Sequence, residues 1–410
     1  MTNSEMTMTS FFSIVIPTRN RSQLIGYAIK SVLNQSLQDF EIVVADSDDS
    51  GATENVIASF HDPRVRRFST GQISMADNWE FGRRQARGEY LMFLEDKQAL
   101  MPRALERIHE AVESERHPVV TWLVDLFYDV GSEYRYAGIY RNATKSSRLV
   151  KTDEVVKLFL ESSRSKSKVL LPRGFNSCCH RSLIEKIVKG PAQRLNLPVA
   201  PDYTMAFLQL AYSDHQLHID EALVVSGIRE SNGLDFVRKA KAAKVFIEEA
   251  GGEKVFVDKV PIKSLLTNNL VYNDFLRIRD LVGGNLSKFD LDLVNYFVQC
   301  YEDIAEARGK YGVDMLPEET AWKETLRSED ATIQARVKTA VDPIREELGR
   351  RLSRARRSQI KNQARVIGRR LGLNKLKRST RPKQQGSSSQ TFPDILSAIE
   401  WEQGNLNRRA

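Results

Sequence analysis

The sequence predicts an α/β protein built on a mostly parallel sheet with helices on both faces. Continuous apolar runs at residues 11–16 and 40–45 have the composition of strands that are buried on both sides. Segments with helical spacing, such as 22–36, separate these runs along the chain. A regular alternation of strand and helix is typical of a parallel sheet covered by helices.

The same alternation extends through the first half of the chain. Strands are predicted over 11–16, 40–45, 65–68, 89–94 and 119–124, and helices over 22–36, 53–60, 75–87 and 103–114. Less regular patterns then predict strands over 134–140, 175–180 and 217–225 and helices over 151–162, 183–188 and 202–213. From about 235 to 335 the pattern is helical, with breaks at two glycine pairs.

At 410 residues the chain can form two domains followed by a tail. A content of 41% hydrophobic and 28% charged residues is that of a soluble globular protein. No apolar run reaches the roughly 18 residues of a transmembrane helix, and residues 1–10 lack a signal-peptide core, so we expect a cytoplasmic protein. We divide the chain into a disordered N-terminus (1–10), an α/β domain (11–235), a helical domain or extension (236–340) and a basic, amphipathic or disordered tail (341–410).

The net charge of +8 is concentrated in the tail. Residues 341–410 hold 17 lysines and arginines against 6 acidic residues, a net charge of +11 that leaves −3 for the rest of the chain. Apolar residues at near-helical spacing in the basic segment 342–378 favour an anionic membrane surface as a partner, and hence a peripheral location on the inner face of the plasma membrane. Packing on a partner protein or second subunit is the alternative. No aromatic residues are interleaved with the basic run, so we do not expect nucleic-acid binding.

The end of the tail has a different composition. Residues 379–391 resemble a linker, and residues 392–401 have the pattern of a short terminal docking helix.

Acidic residues follow several of the predicted strands. Glu95 and Asp96 come directly after the apolar strand 89–94, and Asp46 follows the second strand. Asp202 opens a later helix behind Pro201. Ligands of open α/β sheets bind beyond the carboxyl ends of the strands, so these carboxylates are candidates for a site. The other interpretation is that they cap helices and turns.

Five stretches of the sequence, taken together, resemble the family 2 glycosyltransferases, which are inverting enzymes of the GT-A fold. The resemblance covers roughly residues 11–235. The stretches are Ile14-Val15-Ile16-Pro17-Thr18-Arg19-Asn20-Arg21, Val43-Val44-Ala45-Asp46-Ser47-Asp48-Asp49-Ser50-Gly51-Ala52-Thr53, Asn78-Trp79-Glu80, Gly88-Glu89-Tyr90 with Phe93-Leu94-Glu95-Asp96, and Pro201-Asp202-Tyr203.

The resemblance implies a role for each matching residue. Pro17, Thr18, Arg19 and Asn20 would contact the nucleoside, Asp46 its base and Glu95 its ribose. Asp202 would be the catalytic base, and Arg229 lies where many relatives have a histidine near the diphosphate. Asp48 and Asp49 are expected to shape the loop after the second strand by bonding to its backbone.

Lys97 departs from the family pattern. The acidic motif of the family falls on Glu95-Asp96-Lys97, and its last position usually holds a divalent metal, Mg²⁺ or Mn²⁺. A lysine ammonium cannot ligate a cation. Three alternatives stay open: Lys97 itself neutralises the diphosphate as a catalytic residue, Asp96 binds a metal, or the site has lost its activity.

The expected activity is therefore that of a hexosyltransferase-type enzyme. It would move a sugar with inversion from a nucleotide-sugar, first of all a UDP-sugar, to a hydroxyl of a glycan or lipid-linked acceptor in polysaccharide or cell-envelope synthesis. The alternative is a catalytically degenerate GT-A protein that binds partners through its helical domain and basic tail.

Overall fold

A ten-stranded mixed sheet lies at the centre of the N-terminal half of the protein. The computed structural model describes residues 10–128, 135–140, 143–162, 168–227, 236–370 and 391–407, and the ten strands lie within these ranges. The strands are β1 (Phe12–Thr18), β2 (Phe40–Asp46), β3 (Val65–Ser69), β4 (Tyr90–Phe93), β5 (Gln98–Leu100), β6 (Val119–Tyr128), β7 (Arg135–Tyr136), β8 (Ser147–Lys151), β9 (Ser177–His180) and β10 (His215–Gly227). Their spatial order is β3-β2-β1-β4-β9-β6-β10-β5, with β7 beside β6 and β8 beside β10.

Most of the long strands run in the same direction. β1 pairs in parallel with β2 and β4, and β2 pairs in parallel with β3. β9 is antiparallel to both β4 and β6, so β6 and its parallel neighbour β10 again run with β1. The start of β9 therefore lies at the edge of the sheet where these parallel strands end. The predicted α/β class, a mostly parallel sheet followed by a helical region, is confirmed.

Helices cover both faces of this sheet. In the described residues they are α1 (Ser22–Leu33), α2 (Ala52–Ala58), α3 (Met75–Gln85), α4 (Ala104–Val112), α5 (Thr152–Glu161), α6 (Arg181–Lys189), α7 (Pro201–Tyr212), α8 (Lys241–Glu249), α9 (Thr267–Val282), α10 (Leu293–Tyr311), α11 (Leu316–Arg327), α12 (Ala331–Arg370) and α13 (Ile395–Asn407). Ile14 and Ile16 of β1 pack with α1 and α4 in one apolar cluster. Val15, between them, belongs to a second cluster with α3, α5, α6 and α7, as expected for a strand whose side chains alternate between faces.

The helical extension shares the second of these clusters. Phe275 of α9 packs edge-on against Phe207 of α7, with 5.4 Å between ring centroids, and Tyr272 lies 5.1 Å from Phe159 of α5. The predicted helical character of the extension is confirmed. Because α7 is packed between the sheet and α9, its position depends on both parts of the chain.

The two C-terminal helices differ in their packing. α12 has 40 residues, continues through residue 341 and contains Pro343. Its buried residues Val337 and Val341 join the second cluster. α13 packs with Phe392 against a patch on β5, β6 and β10, so the predicted docking of residues 392–401 is confirmed, although the helix extends to Asn407.

Two strands were missed by the sequence analysis. β5 has only three residues, too few to show alternation, and β8 buries only Val150 among exposed neighbours. Residues 1–9 of the predicted disordered N-terminus (1–10) and residues 379–390 of the predicted linker (379–391) lie outside the described residues. No helix in the described ranges combines the length and hydropathy of a membrane span.

Candidate active site

The loop after β1 lines the first of two neighbouring cavities beyond the ends of the parallel strands. The apolar strand ends at Thr18, and Asn20 takes a positive φ of 55°, in the left-handed region that asparagine tolerates better than most residues. The cavity has a volume of about 530 Å³, and its lining includes Pro17, Thr18, Arg19 and Asn20. The structure thus brings all four predicted loop residues to one cavity.

Asp46 is fully buried at the end of β2, whereas its neighbour Ser47 lines the first cavity. The Asp46 carboxylate accepts hydrogen bonds from the backbone N–H of Asp48 (3.0 Å) and from Nε of Arg67 (2.8 Å). Each of its oxygens therefore has a partner within the protein. Because Asp46 is fully buried, a contact with a nucleoside base would require the residues around it to move.

Asp48 fixes the loop that follows β2, as the sequence predicts. Its carboxylate accepts hydrogen bonds from the backbone N–H groups of Ser50 (2.8 Å) and Thr53 (3.1 Å) and from the hydroxyl groups of both residues. These bonds, the Ser50 hydroxyl first among them, hold the pKa of Asp48 well below its usual range. The loop beside Ser47 is thus shaped by its own side chains.

Asp96 is buried and ties the loop after β1 to the end of β4. Its Oδ2 accepts a hydrogen bond from the Thr18 hydroxyl at 2.9 Å, and its Oδ1 lies 3.1 Å from Nη1 of Arg21. Burial raises the pKa of Asp96, and the nearby Arg21 and Thr18 offset only part of this effect. Each oxygen thus already has one partner, and a metal at Asp96 would have to share these oxygens with Thr18 and with the positive charge of Arg21.

Lys97 forms an ion pair with Glu95 at the boundary between the two cavities. Its Nζ lies 2.9 Å from Oε2 of Glu95, and the Lys97 side chain is only 10% exposed. Gln98 holds the other side of Glu95, accepting its backbone N–H at 2.9 Å and donating to its Oε1 at 3.3 Å. Burial on its own would raise the pKa of Glu95, but the charge and hydrogen bond of Lys97, together with the charges of Arg21 and Arg173, outweigh burial and lower the pKa. A positive charge is therefore fixed where the family pattern has a metal ligand.

Asp202 faces this ion pair from the N-terminus of α7. Pro201 occupies the first turn of the helix, where its missing N–H has no cost, and Asp202 follows in the same turn. Burial raises the pKa of Asp202, and the nearby Arg173 counteracts this most strongly. A carboxylate with a raised pKa is a stronger base, so the environment suits Asp202 to proton abstraction.

Asp202, Glu95 and Lys97 line one cavity of about 460 Å³. Glu95 also lines the first cavity, as do Trp79 of α3 and Phe246 of α8. The two cavities are therefore adjacent, and a ligand beside the loop after β1 can come into contact with a ligand beside Asp202.

Two parts of the site were missed by the sequence analysis. Arg173 lies in the second cavity, 3.9 Å from Asp202, because it belongs to the loop that leads into the antiparallel strand β9. The sequence shows an arginine just before a predicted strand, but it does not show in which direction that strand runs in the sheet. Glu249 of α8 lines the first cavity and pairs with Nη1 of Arg19 at 2.8 and 2.9 Å.

The remaining predicted site residue, Arg229, lies outside the described residues. The strand that leads to it, β10, ends at Gly227 in the second cavity. In the part of the chain that the structure describes, no group of three or more His, Cys, Asp or Glu side chains is arranged to hold a metal ion.

Comparison with known proteins identifies the N-terminal part of the chain. Residues 13–188 match the family model described as Glycosyl transferase family 2. The GalNAc(5)-diNAcBac-PP-undecaprenol beta-1,3-glucosyltransferase of Campylobacter jejuni is 30% identical over 141 residues, which are 33% of this chain and 46% of that protein. The poly(ribitol-phosphate) beta-N-acetylglucosaminyltransferase TarP of Staphylococcus aureus is 33% identical over 104 residues, 24% of this chain and 31% of that protein. The matched stretch thus spans less than half the length of these curated relatives.

Among solved structures, residues 1–349 of S. aureus TarS in complex with UDP-GlcNAc align with a TM-score of 0.48 and 14% sequence identity, covering 94% of this chain and 99% of that chain.

Proposed function

The chain belongs to the family 2 glycosyltransferases through its residues 13–188, and from this premise we propose that it transfers a sugar, with inversion, from a nucleotide-sugar to a hydroxyl of a glycan or lipid-linked acceptor. One observation carries the proposal. A carboxylate suited to proton abstraction, Asp202, shares a cavity with the Glu95–Lys97 pair, and Glu95 also borders the cavity of the loop after β1.

The donor side is the first cavity. Its lining by Pro17, Thr18, Arg19 and Asn20 supports nucleoside binding there, with Glu95 near the ribose and Asp46 behind the loop. We take a UDP-sugar as the first donor to test.

The acceptor side is the second cavity. Asp202 takes the proton of the acceptor hydroxyl while that oxygen forms a bond to the anomeric carbon of the donor sugar. The bond from the anomeric carbon to the diphosphate breaks, and its electron pair leaves with the nucleoside diphosphate. Attack from the face opposite the leaving group inverts the anomeric centre.

The negative charge that develops on the leaving diphosphate needs a positive partner. The residues at the family's metal position do not favour a divalent cation, because the Lys97 ammonium cannot ligate one and the buried Asp96 is already bonded to Thr18 and Arg21. This supports the first of the three alternatives, in which Lys97 supplies the charge and no metal is required.

The acceptor class rests on relatives and on charge. The two curated relatives are named for an undecaprenol-linked glycan and for poly(ribitol-phosphate), which suggests a lipid-linked or cell-envelope polymer as acceptor. A basic segment at 342–378 would hold such an enzyme at an anionic membrane surface.

A panel of nucleotide-sugars tests the proposal. We would measure nucleotide binding and release of nucleoside diphosphate by the purified chain with Mn²⁺, with Mg²⁺ and with EDTA. We expect binding and turnover that survive EDTA, and an Asp202→Asn variant that binds nucleotide but does not turn over. Turnover that requires a metal would return Asp96 to the role of ligand. Saturable binding without turnover would favour the degenerate binding protein, and absence of any nucleotide binding would exclude the enzyme.

A further inference from the structure

Arg173 projects from a loop whose backbone is fixed by buried hydrogen bonds. The side chain of Asn176, 1% exposed, donates from Nδ2 to the carbonyl of Leu171 and accepts the backbone N–H of Arg173, both at 2.9 Å. The hydroxyl of Ser177 accepts the N–H of Gly174 at 2.9 Å. The loop therefore presents Arg173 in one conformation.

The same loop is attached to the helix that carries Asp202. Gln209 of α7 donates from Nε2 to the carbonyl of Pro172 at 2.9 Å. Gly174 has a φ of +81°, and a Cβ there would lie 2.4 Å from Cε of Met205, also on α7. Because loop and helix are bonded and closely packed, the spacing between Arg173 and Asp202 is set by the fold.

The Arg173 side chain is directed at Asp202. Its guanidinium carbon lies 4.6 Å from the ring centre of Phe175 and 5.4 Å from that of Tyr203, and the side chain is 12% exposed. Nη1 lies 3.9 Å from Oδ2 of Asp202, and Nε has no hydrogen-bond partner among the described residues. Removing a guanidinium from water is costly unless carboxylates compensate for it, and Arg173 lies beside two, Asp202 and Glu95.

We propose that Arg173 is a positioning residue for the general base, holding the Asp202 carboxylate in one orientation and ionised until it takes the acceptor proton. The inference rests on the proposed function, since it assigns Arg173 a role in that reaction. Arg173 keeps its own proton throughout. The guanidinium is suited to this role because it is planar, always charged and held by stacking on two rings.

The charges around Asp202 determine how the loss of Arg173 would change the pKa of Asp202. Arg173 faces Asp202 from the loop before β9, Glu95 and Lys97 face it from the connection between β4 and β5, and Asp274 faces it from α9. Burial and Glu95 raise the pKa of Asp202, whereas Arg173 and Lys97 lower it. Without Arg173 the pKa rises further, so Asp202 is protonated, and inactive as a base, up to a higher pH.

Three arginine variants test the proposal. Arg173→Gln removes the charge and Arg173→Lys keeps it. Arg83→Gln is the matched control, since Arg83 is 15% exposed and pairs with Glu80 on α3 at 2.6 Å, away from the residues given roles in the reaction. We would measure kcat/KM against pH, and titrate the Asp202 carboxyl by ¹³C NMR, with Asp202→Asn to assign its signal.

In Arg173→Gln we expect the acidic limb of kcat/KM to move to higher pH, with about a tenfold loss on the acidic side for each unit of movement and recovery at high pH. Arg173→Lys restores much of the position of the limb, and Arg83→Gln leaves it unchanged. A loss of equal size at every pH, or a rise in donor KM with an unmoved limb, overturns the proposal. The NMR titration separates the role of Arg173 from the proposed function. If the Asp202 pKa shifts upward in Arg173→Gln but the protein transfers no sugar, the proposed function alone is refuted. If the Asp202 pKa does not shift, the role of Arg173 is refuted.

Discussion

Under the proposed function, Lys97 supplies a fixed positive charge in place of a metal ligand. A lysine in this position avoids the need to bind a cation, but it also requires a carboxylate to compensate for its burial, and Glu95 provides one at 2.9 Å. When a diphosphate enters, Lys97 can share its charge between Glu95 and the leaving oxygens. The ammonium acts as a point charge there and needs no defined coordination geometry.

Lys97→Met keeps most of the length of the side chain and removes its charge. We expect the turnover of this variant to fall by about 100-fold, because one electrostatic partner of the leaving group is lost. We expect EDTA to leave the turnover of the unmodified enzyme unchanged. Lys189→Met, at a lysine whose side chain is 78% exposed on α6, is the control. Single-turnover kinetics with and without EDTA would measure both effects. If Mn²⁺ restores the turnover of Lys97→Met, a metal can neutralise the diphosphate in place of Lys97. If Lys97→Met turns over normally without metal, Lys97 does not supply the charge.

At the scale of elements, the sequence revealed those parts of the site that directly follow apolar strands. β1 and β4 are continuous apolar runs, so the loop at Pro17 and the acidic residue Glu95 could be located from where the runs end. Asp202 could be located because Pro201 marks a helix start. Arg173 could not, because its place depends on β9 running antiparallel between two parallel strands. The position of α8 beside the first cavity is likewise a contact between residues more than 200 positions apart, as in Arg19–Glu249.

The N-terminus of α7 is held by a carboxylate from another helix. Ala200, at the N-cap, has no side-chain cap of its own, and its N–H donates to Oδ2 of Asp274 on α9 at 3.1 Å. Burial raises the pKa of Asp274 well above its ordinary value of 3.8. The folded protein thus binds this proton more tightly than the unfolded chain. The contribution of Asp274 to stability is fully present below about pH 3.8 and is lost as the pH rises through the raised folded pKa.

Asp274→Asn removes this pH dependence and keeps an acceptor oxygen for Ala200. We expect it to be more stable than the unmodified protein at pH 8, with a smaller difference at pH 5. Asp274→Leu leaves the N–H of Ala200 unpaired and should be about 1–3 kcal/mol less stable than Asp274→Asn. Urea unfolding followed by circular dichroism at both pH values measures these differences. An unchanged pH dependence in Asp274→Asn would show that Asp274 is ionised in the folded protein at both values.

At the scale of the whole molecule, the C-terminal helix α13 packs behind the second cavity. α13 packs on a patch that includes Ala99 and Val225, and each of these is one residue away from a residue that lines the second cavity, Gln98 and Ser226. The C-terminal helix thus supports the short strand β5 from its other side. This arrangement joins the tail to the fold of the α/β domain.

Ile399→Ala tests that support. Ile399 is 2% exposed in the cluster around α13, so its truncation should lower the free energy of unfolding by about 2–4 kcal/mol. Glu400→Ala, one position along on the exposed side of the helix, is the matched control. Thermal unfolding by calorimetry measures both variants. Equal melting temperatures in the two would mean that α13 contributes little to the stability of the protein.

The basic end of α12 is the part of the molecule that we expect to meet a membrane. The first half of the helix is anchored to the body by Val337 and Val341, whereas the segment from Arg354 onward is rich in arginine and lysine.

Near an anionic surface each such charge contributes about 1 kcal/mol, so replacing Arg354, Arg356 and Arg357 by glutamine should weaken binding to phosphatidylserine vesicles by about 100-fold. Binding should also decrease steeply with salt, because the attraction is screened within about 8 Å at physiological ionic strength. Vesicle sedimentation measures both effects, with Arg103→Gln, a surface arginine with a 70% exposed side chain, as the control. Equal binding to neutral phosphatidylcholine vesicles would leave a protein partner as the ligand of this segment, and the acceptor would then have to reach Asp202 without a membrane-bound enzyme.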